Sequence, residues 1–411
     1  MKDTLSVEEI DKRIQYLRRG VEDLIEPQEL EWKIDKAHKE ERSLVVKLGV
    51  DPTAPDIHLG HTVPLMKLKH FQDLGYDVDF LIGDFTARIG DPSGRSAARK
   101  PMTHEDVLGN ADEYKRQIFK ILNPDQTNIV YNSDWLSPIK LDDFIKILGK
   151  GTINEMVKRR GVANRLEEGN PVSVAEFVYP FLQAYDSVAM KADVEIGGAD
   201  QFFNFVFTRE MQRAYGQEPQ VIMTLPLLVG LDGKEKMSKT YDNHVALEDP
   251  ANEMYGKIMS ISDEQIISYF DLLTNVPYEE VSEMQRGLIK GEQHPRDLKA
   301  KLAREITTQY HDKSAALEAE NNFDRIFKYR QEPENIETFY LSNKESRDIG
   351  SLLVEMDLAP SKSQVKRLIK QGGVRVDGEK IDDPHYNINP EEGMVINVGK
   401  RNFKKIGYEK K

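Results

Sequence analysis

The chain has 411 residues, a formal net charge of −13, and 39% hydrophobic and 31% charged residues. This composition predicts a globular protein of two or three domains. The absence of cysteine excludes disulfide frameworks, thiolate zinc sites, iron–sulfur clusters and a cysteine nucleophile, and favours a cytoplasmic location. No apolar run approaches the ~20 residues that cross a bilayer, and the acidic start predicts no secretory signal, so we expect no membrane partner.

The first 240 residues alternate between helical and strand patterns. In chain order we predict two helices in the first 43 residues, a strand at 44–50, a helix at 60–74, a strand at 77–82, a helix beginning at Thr103, a strand at 128–131, helices at 141–148 and 173–190, a strand at 193–196, a helix at 200–215 and a strand at 219–225. Repeated strand–helix–strand units favour a parallel sheet.

After residue 240 the predicted secondary structure changes twice along the chain. We predict helices throughout 250–330, a polar linker at 331–343, helices at 349–356 and 362–370, and then short strands separated by glycines. Residues 361–411 carry a net charge of +5, whereas the preceding 360 residues carry −18. A basic tail on an acidic body indicates either a polyanion-binding module or a solvated lysine-rich terminus.

Two histidines stand at the start of the predicted helix 60–74, in the segment His58-Leu-Gly-His61. They are one helical turn apart, Gly60 lets a ligand approach the backbone, and a helix N-terminus offers unpaired N–H groups, so the pattern suits a phosphate. Two other interpretations stay open: half of a metal site, for which no third ligand with suitable spacing follows, or two ordinary helix-start residues. We predict no metal site.

A second polar segment, Lys234-Glu-Lys-Met-Ser-Lys239, lies in a glycine-containing loop. Its three lysines and Ser238 could cover a polyphosphate, because lysine acts as a flexible point charge. An exposed loop without function is the alternative. Both segments follow strands of one predicted α/β domain, and the carboxyl ends of parallel strands share one crevice, so we expect them to converge on one ligand.

These segments, His58-Leu-Gly-His61 and Lys236-Met-Ser-Lys-Thr240, resemble the two signatures of class I aminoacyl-tRNA synthetases. Four further segments resemble the bacterial tyrosyl-tRNA synthetases: Gly49-Val-Asp-Pro-Thr53, Gly90-Asp-Pro-Ser-Gly94, Tyr179-Pro-Phe-Leu-Gln-Ala-Tyr-Asp186 and Gly197-Gly-Ala-Asp-Gln201. The resemblance runs from about residue 44 into the basic tail.

The resemblance implies an α/β protein with three domains. These are a Rossmann-like parallel-sheet catalytic domain at 1–240, an α-helical anticodon-side domain at 241–335 and a small α+β RNA-binding domain at 345–411. An insertion at about 115–171 would form the interface of a homodimer.

The tyrosine-specific block places three polar residues, Tyr179, Gln183 and Asp186, on one face of a helix, because they are spaced i, i+4 and i+7. A satisfied polar network in the core is the alternative. The resemblance implies that Asp186 meets the phenol hydroxyl of tyrosine. It also implies that Tyr179 and Gln183, with Asp91, hold the amino group, and that Gln201 lies by the carboxylate.

The resemblance also implies an ATP site. Asp51, Thr53 and Asp200 match positions that contact ATP or the ribose, and the same site includes His58, Gly60, His61, Lys236, Met237, Ser238 and Lys239. The catalytic residues implied are His58, His61, Lys236 and Lys239, with Arg95 and Arg99 from a loop that supplies positive charge to the departing pyrophosphate. Lys47 stands where another branch of the family has a phenol-binding tyrosine, and we leave it out of the site.

The basic tail resembles an RNA-binding module shared with a ribosomal small-subunit protein, over residues 361–378. Lys362, Lys366, Arg367 and Lys370 are spaced to form a basic stripe on one helix, which we expect to bind tRNA through backbone and shape.

The activity implied is the joining of the tyrosine carboxylate to the α-phosphate of ATP, followed by transfer of tyrosine to the terminal ribose of tRNA(Tyr). ATP is a substrate and brings Mg²⁺, and no bound prosthetic group is expected. Alternatives are an RNA-binding regulator with an inactive synthetase body, a tryptophanyl-tRNA synthetase, and a plain nucleotidyltransferase. Intact signature segments speak against the first of these. The Asp186 block and the basic tail argue against a tryptophanyl-tRNA synthetase. The presence of an amino-acid block argues against a plain nucleotidyltransferase.

Overall fold

The computed structural model of the chain describes residues 6–91, 102–327, 336–399 and 402–408. The chain folds as two compact units, Met1–Ala316 and Leu317–Lys411. Within the described ranges, no helix is both long and apolar enough to span a lipid bilayer.

The strands of the first unit form one sheet, whose order in the described residues is β1-β6-β5-β2-β3-β4. Strands β2 to β6 pair in parallel, as predicted, and only β1 is antiparallel, at one edge. The strands are β1 Asp23–Ile25, β2 Val46–Val50, β3 Val78–Ile82, β4 Thr127–Tyr131, β5 Val194–Gly198 and β6 Val221–Leu225. The sequence did not predict β1, because three residues between two helices carry no periodic signal and the strand is defined by pairing with β6.

Helices surround this sheet and continue beyond it. They are α1 Val7–Arg18, α2 Pro27–Lys39, α3 Leu59–Asp73, α4 His104–Ile118, α5 Ser133–Leu136, α6 Leu141–Leu148, α7 Ile153–Val157, α8 Arg160–Glu167, α9 Val174–Met190, α10 Phe202–Ala214, α11 Ala251–Ile258, α12 Ile266–Leu273, α13 Tyr278–Lys290, α14 Pro295–Tyr310 and α15 Lys313–Phe327. The helical stretch predicted over 250–330 is confirmed from 251 to 327, and residues 328–330 lie outside the described residues. Helices α5, α7 and α8 were not predicted, since each is too short for a clear 3.6-residue pattern.

The position of β2 creates a crevice. The chain proceeds from β2 outward to β3 and β4 on one side, whereas β5 and β6 lie on the other side. The carboxyl end of β2 is therefore the point where the strand order reverses, which is where ligands bind in open parallel sheets. The segments that follow β2, β3, β4, β5 and β6 all begin at this edge.

The second unit begins within α15 and contains helices α16 Ile349–Glu355 and α17 Lys362–Lys370. Its sheet has the order β10-β9-β12-β13-β7, and β8 and β11 pair separately. Its strands are β7 Thr338–Leu341, β8 Arg347–Asp348, β9 Val374–Val376, β10 Glu379–Lys380, β11 Asn387–Ile388, β12 Val395–Val398 and β13 Asn402–Tyr408. The predicted linker at 331–343 is wrong over β7, which pairs in parallel with β13 and buries Leu341 in the core of this unit.

Candidate active site

A cavity of about 270 Å³, here called the first cavity, lies at the carboxyl ends of β2, β3 and β5. Helix α9 forms one wall, where Tyr179, Gln183 and Asp186 share a face as predicted. All five residues predicted to bind tyrosine line this cavity. The polar lining comprises Lys47, Asp51, Thr53, His61, Thr86, Asp91, Tyr114, Asn132, Tyr179, Gln183, Asp186, Glu195 and Gln201.

Asp186 is a buried carboxylate, with 3% of its surface exposed. Trp135 Nε1 donates a hydrogen bond of 2.8 Å to one carboxylate oxygen, and Asn132 Nδ2 donates one of 3.2 Å to the other. Burial raises the pKa of Asp186 to about 7, although the Lys47 charge and these two hydrogen bonds act to lower it. Asp186 is thus a buried hydrogen-bond acceptor whose ionised form is favoured by Lys47, Trp135 and Asn132.

Lys47, which the sequence did not assign to the site, is 1% exposed and lines the first cavity. Its Nζ lies 2.9 Å from Glu195 Oε1 and donates a 2.7 Å hydrogen bond to Ser187 Oγ. Glu195 is equally buried, and Gln220 Nε2 donates a hydrogen bond to its other oxygen. A lysine is tolerated inside this strand because β5 places a carboxylate beside it in the register Lys47↔Glu195.

A network of amides occupies the wall formed by α9 and the turn after β5. Gln201 Nε2 donates a 2.7 Å hydrogen bond to Asp91 Oδ2, and Gln183 Nε2 donates one of 3.2 Å to Gln201 Oε1. Asn204 Nδ2, buried on α10, donates to the oxygens of both glutamines, at 2.7 and 2.9 Å. The carboxylate and amide oxygens of this network are suited to accept hydrogen bonds from an ammonium group.

Asp51 joins the loops after β2 and β3. It accepts a 2.9 Å hydrogen bond from Tyr179 Oη and one of 2.7 Å from Thr86 Oγ1. Gly83 makes this approach possible, since a Cβ there would lie 2.1 Å from Asp51 Oδ1. Asp51 and Thr53, predicted to contact ATP, line the first cavity beside Tyr179.

A second cavity of about 290 Å³ adjoins the first. It contains the two segments that the sequence predicted to converge, at the start of α3 and in the loop after β6. Residues common to both cavities are Leu48, Val50, His61, Pro64, Tyr114 and Gly198. The predicted ATP residues that line the second cavity are His58, Gly60, His61, Asp200, Lys236, Met237 and Ser238.

The histidine pair caps helix α3. His58 Nδ1 accepts from the Gly60 N–H at 3.2 Å, His61 Nδ1 accepts from the His58 N–H at 3.3 Å, and the two rings stack at 3.8 Å. Burial, followed by the neighbouring imidazole rings and then the two loop lysines, holds the pKa of His58 well below its usual range. His61 is an exposed residue at the junction of the two cavities, and its pKa is lowered by desolvation from the surrounding protein and by the charges of Lys239 and Lys236. Both rings are neutral at pH 7.

The lysine loop is anchored at its centre. Met237 is buried, its N–H donates a 2.7 Å hydrogen bond to the Leu228 carbonyl, and Asn243 Oδ1 accepts from the Ser238 N–H at 2.8 Å. Lys236 Nζ lies 3.9 Å from Asp200 Oδ2, and Lys239 Nζ lies 2.5 Å from Asp56 Oδ2. The backbone of the loop is therefore held in place by hydrogen bonds. Lys236 lines the second cavity, whereas Lys239, also predicted to bind ATP, is not part of the lining of either cavity.

In the second unit, helix α17 is amphipathic. Val365 and Ile369 are buried in the core, whereas the four basic residues predicted to bind tRNA, Lys362, Lys366, Arg367 and Lys370, are all exposed. The predicted basic stripe therefore exists as a solvent-facing surface of one helix.

The description "tRNA synthetases class I (W and Y)" matches residues 39–328, more than half of the chain. The chain belongs to this family. It is therefore a ligase that joins an amino acid to tRNA, and the letters of the description stand for tryptophan and tyrosine. A second description, "S4 domain", matches residues 351–396 of the same synthetase.

Several relatives match this class I synthetase over nearly its full length. A tyrosine–tRNA ligase of Moorella thermoacetica is 46% identical, with 97% of this chain and 96% of that protein covered. Tyrosine–tRNA ligases of Carboxydothermus hydrogenoformans and Thermotoga maritima are each 47% identical, covering 99% and 96% of this chain and 100% and 97% of those proteins.

Solved structures share the fold of this class I synthetase. A C-terminally truncated mitochondrial tyrosyl-tRNA synthetase of Coccidioides posadasii is 25% identical, with a TM-score of 0.62 over 76% of this chain and 93% of that chain. The tyrosyl-tRNA synthetase of Archaeoglobus fulgidus complexed with L-tyrosine is 24% identical, with a TM-score of 0.62 over 76% and 99%.

Sequence reasoning missed the residues that support Asp186 and the amide network. Trp135 and Asn132 follow β4, 51 and 54 residues before Asp186 in the chain. Asn204 lies on α10, 3 residues from Gln201 and 21 from Gln183. One signal was available: polar side chains directly after a parallel strand belong to the ligand-binding edge. Arg95 and Arg99 lie outside the described residues and stay predictions. Among the residues that are described, no group of three or more His, Asp or Glu is placed to hold a metal ion.

Proposed function

We propose that this class I synthetase activates L-tyrosine with ATP and transfers it to tRNA(Tyr). One observation carries the proposal: a cavity ending in the acceptor Asp186 opens, past His61, into a second cavity lined by a histidine pair and a lysine loop. The names of the relatives that are 46–47% identical support the same amino acid.

Tyrosine fits the first cavity in one direction. Its phenol hydroxyl would donate to Asp186, which lies buried at the end beside Trp135. The ammonium group would lie by Tyr179, Gln183 and Asp91, and the carboxylate by Gln201, where the cavity meets the second one. Phenylalanine would leave Asp186 unpaired in a buried site, and a site of this kind rejects the analogue by ~10⁴–10⁵, a magnitude already measured for this type of enzyme.

ATP would occupy the second cavity, with its α-phosphate directed at the tyrosine carboxylate. In both His58 and His61, Nδ1 accepts a capping hydrogen bond, so a neutral ring carries its proton on Nε2. The two Nε2–H groups would donate hydrogen bonds to the pentacoordinate phosphate. Lys236 and Lys239, and in our proposal Arg95 and Arg99, would neutralise the departing pyrophosphate. Asp200 is proposed to accept from ribose hydroxyls. Asp51 and Thr53 complete the proposed nucleotide site at the junction of the cavities.

Neither half-reaction needs an enzyme nucleophile. In the first, a tyrosine carboxylate oxygen attacks the α-phosphate and pyrophosphate leaves. In the second, a hydroxyl of the terminal ribose of tRNA attacks the adenylate carbonyl and AMP leaves. The protein's contribution is to hold the reacting groups in line and to stabilise developing charge. Magnesium is proposed to arrive bound to the phosphates of ATP.

The remaining proposals concern assembly. The C-terminal unit would bind tRNA through the exposed basic face of α17, and the three domains proposed are 1–240, 241–335 and 345–411. A homodimer is supported by large apolar side chains exposed within the insertion at 115–171, namely Leu141, Ile145 and Ile153, which are 71%, 58% and 74% exposed.

The test is amino-acid-dependent exchange of labelled pyrophosphate into ATP, with tyrosine, tryptophan and phenylalanine compared on one preparation. We expect exchange with tyrosine and, at equal concentration, negligible exchange with the other two. Charging of tRNA(Tyr) by the same preparation tests the second half-reaction. Exchange driven by tryptophan would reassign the amino acid, and tRNA binding without any exchange would indicate an RNA-binding regulator.

A further inference from the structure

The floor of the first cavity holds more charge than recognition of a phenol by Asp186 alone requires. Lys47 and Glu195 lie there as a buried ion pair, with a Nζ–Oε1 distance of 2.9 Å and 1% exposure each. Removing two charges from water in this way costs free energy. Replacing such a pair by apolar residues of similar size often leaves a protein equally stable. The pair therefore calls for an explanation in terms of the ligand.

The hydrogen-bond capacity of Lys47 is incompletely used. An ammonium group has three N–H donors. Among the described residues, Lys47 Nζ has two partners, Glu195 Oε1 and Ser187 Oγ. The residue lines the first cavity together with Asp186, and its charge acts on that carboxylate strongly enough to lower the Asp186 pKa. One donor thus remains on a side chain that lines the same cavity as Asp186.

We propose that Lys47 is a specificity-determining residue, which donates its third N–H to the oxygen of the bound phenol while Asp186 accepts the phenol hydrogen. The inference rests on the proposed function, since it assumes that tyrosine occupies the first cavity. The two side chains recognise different properties of the same hydroxyl. Asp186 requires the para group to donate a hydrogen bond, and Lys47 requires it to accept one.

Glu195 has a defined part in this arrangement. It holds the Lys47 ammonium group in place from the neighbouring strand β5. Ser187 Oγ accepts from Lys47 and also lies 3.4 Å from Glu195 Oε2, so that two of the three N–H directions of Lys47 are fixed. Glu195 is a positioning residue, because it acts through Lys47.

4-Aminophenylalanine distinguishes the hydrogen bond to Asp186 from the hydrogen bond from Lys47. Its amino group donates hydrogen bonds, as the phenol does, but its nitrogen lone pair is delocalised into the ring and accepts poorly. It therefore satisfies Asp186 and fails to satisfy Lys47. Because a hydrogen bond to a charged group contributes ~1.5–3 kcal/mol, wild type should prefer tyrosine over this analogue in kcat/KM by at least about tenfold.

The experiment compares kcat/KM for tyrosine and 4-aminophenylalanine in pyrophosphate exchange. The variants are Lys47→Met and the double variant Lys47→Met/Glu195→Gln, in which no unpaired charge stays buried. The matched control is Lys33→Met, which removes another buried lysine, ion-paired to Asp193 at 3.3 Å and absent from the lining of both cavities. We expect the tyrosine preference to fall about 10- to 100-fold in the Lys47 variants and to stay unchanged in the control.

An equal loss with both substrates would overturn the inference, because a purely structural lysine affects both alike. A wild-type preference below about tenfold would overturn it as well, whatever the folding of the variants. Absence of any tyrosine-dependent exchange in wild type would instead contradict the proposed function itself.

Discussion

Trp135→Phe offers a quantitative test of how the cavity recognises the phenol. The substitution keeps an aromatic ring and removes one hydrogen bond, the 2.8 Å donation from Nε1 to Asp186. That hydrogen bond favours the ionised carboxylate, which is the form that accepts best from a phenol. Losing it therefore raises the pKa of Asp186 and shifts tyrosine recognition to higher pH.

The size of the shift follows from the energy of the lost hydrogen bond. Burial already raises the pKa of Asp186 to about 7 in the unsubstituted protein. A hydrogen bond to a charged group contributes ~1.5–3 kcal/mol, and 1.36 kcal/mol corresponds to one pH unit, so the midpoint should rise by about one to two pH units. At pH 7.5 this predicts a loss of about 3- to 25-fold in kcat/KM for tyrosine, recovered at higher pH.

The assay is the pH dependence of kcat/KM for tyrosine in pyrophosphate exchange, which reports ionisation of the free enzyme. In wild type the value should rise about tenfold from pH 6 to pH 8 and then level off, because Asp186 becomes ionised over that range. The matched control is Trp32→Phe, the other tryptophan of the chain, which is 46% exposed on α2. If kcat/KM for tyrosine rises with pH at the same midpoint in Trp135→Phe as in wild type, the role given to Asp186 is refuted.

Three further outcomes are expected. His58→Ala and His61→Ala should each slow adenylate formation by about 10²–10³ while equilibrium tyrosine binding stays near wild type, because both rings act on the transition-state phosphate; parallel losses in binding and rate, measured by stopped-flow, would speak against this. Lys236→Ala and Lys239→Ala should likewise slow activation alone, and unchanged single-turnover rates in the double variant would remove both from the site. Truncation after Phe327 should keep pyrophosphate exchange and weaken tRNA charging. The slope of log binding constant against log salt concentration for tRNA should become shallower by about one for each phosphate that the protein no longer neutralises. Full charging at low tRNA concentration would contradict the role of the C-terminal unit.

Much of the fold could be predicted from local sequence. Helices α3, α9 and α17 follow from apolar spacing and from capping residues at their starts, and strands β2 to β6 from short apolar runs between turns. The signals for these elements, namely apolar spacing, caps and short apolar runs, lie within a few residues of one another, so the sequence contains them. Strands β1 and β7 could not be predicted, since neither has such a local signal and each is defined only by its pairing with another strand.

The same division holds within the site. The sequence by itself determined which residues face one another on α9, and which two polar segments follow strands of a common sheet. Only the tertiary structure paired Lys47 with Glu195 and directed Trp135 and Asn132 at Asp186. The charge state of a buried carboxylate depends on every dipole and charge within a few ångströms, and those groups come from strands and helices that only folding brings together.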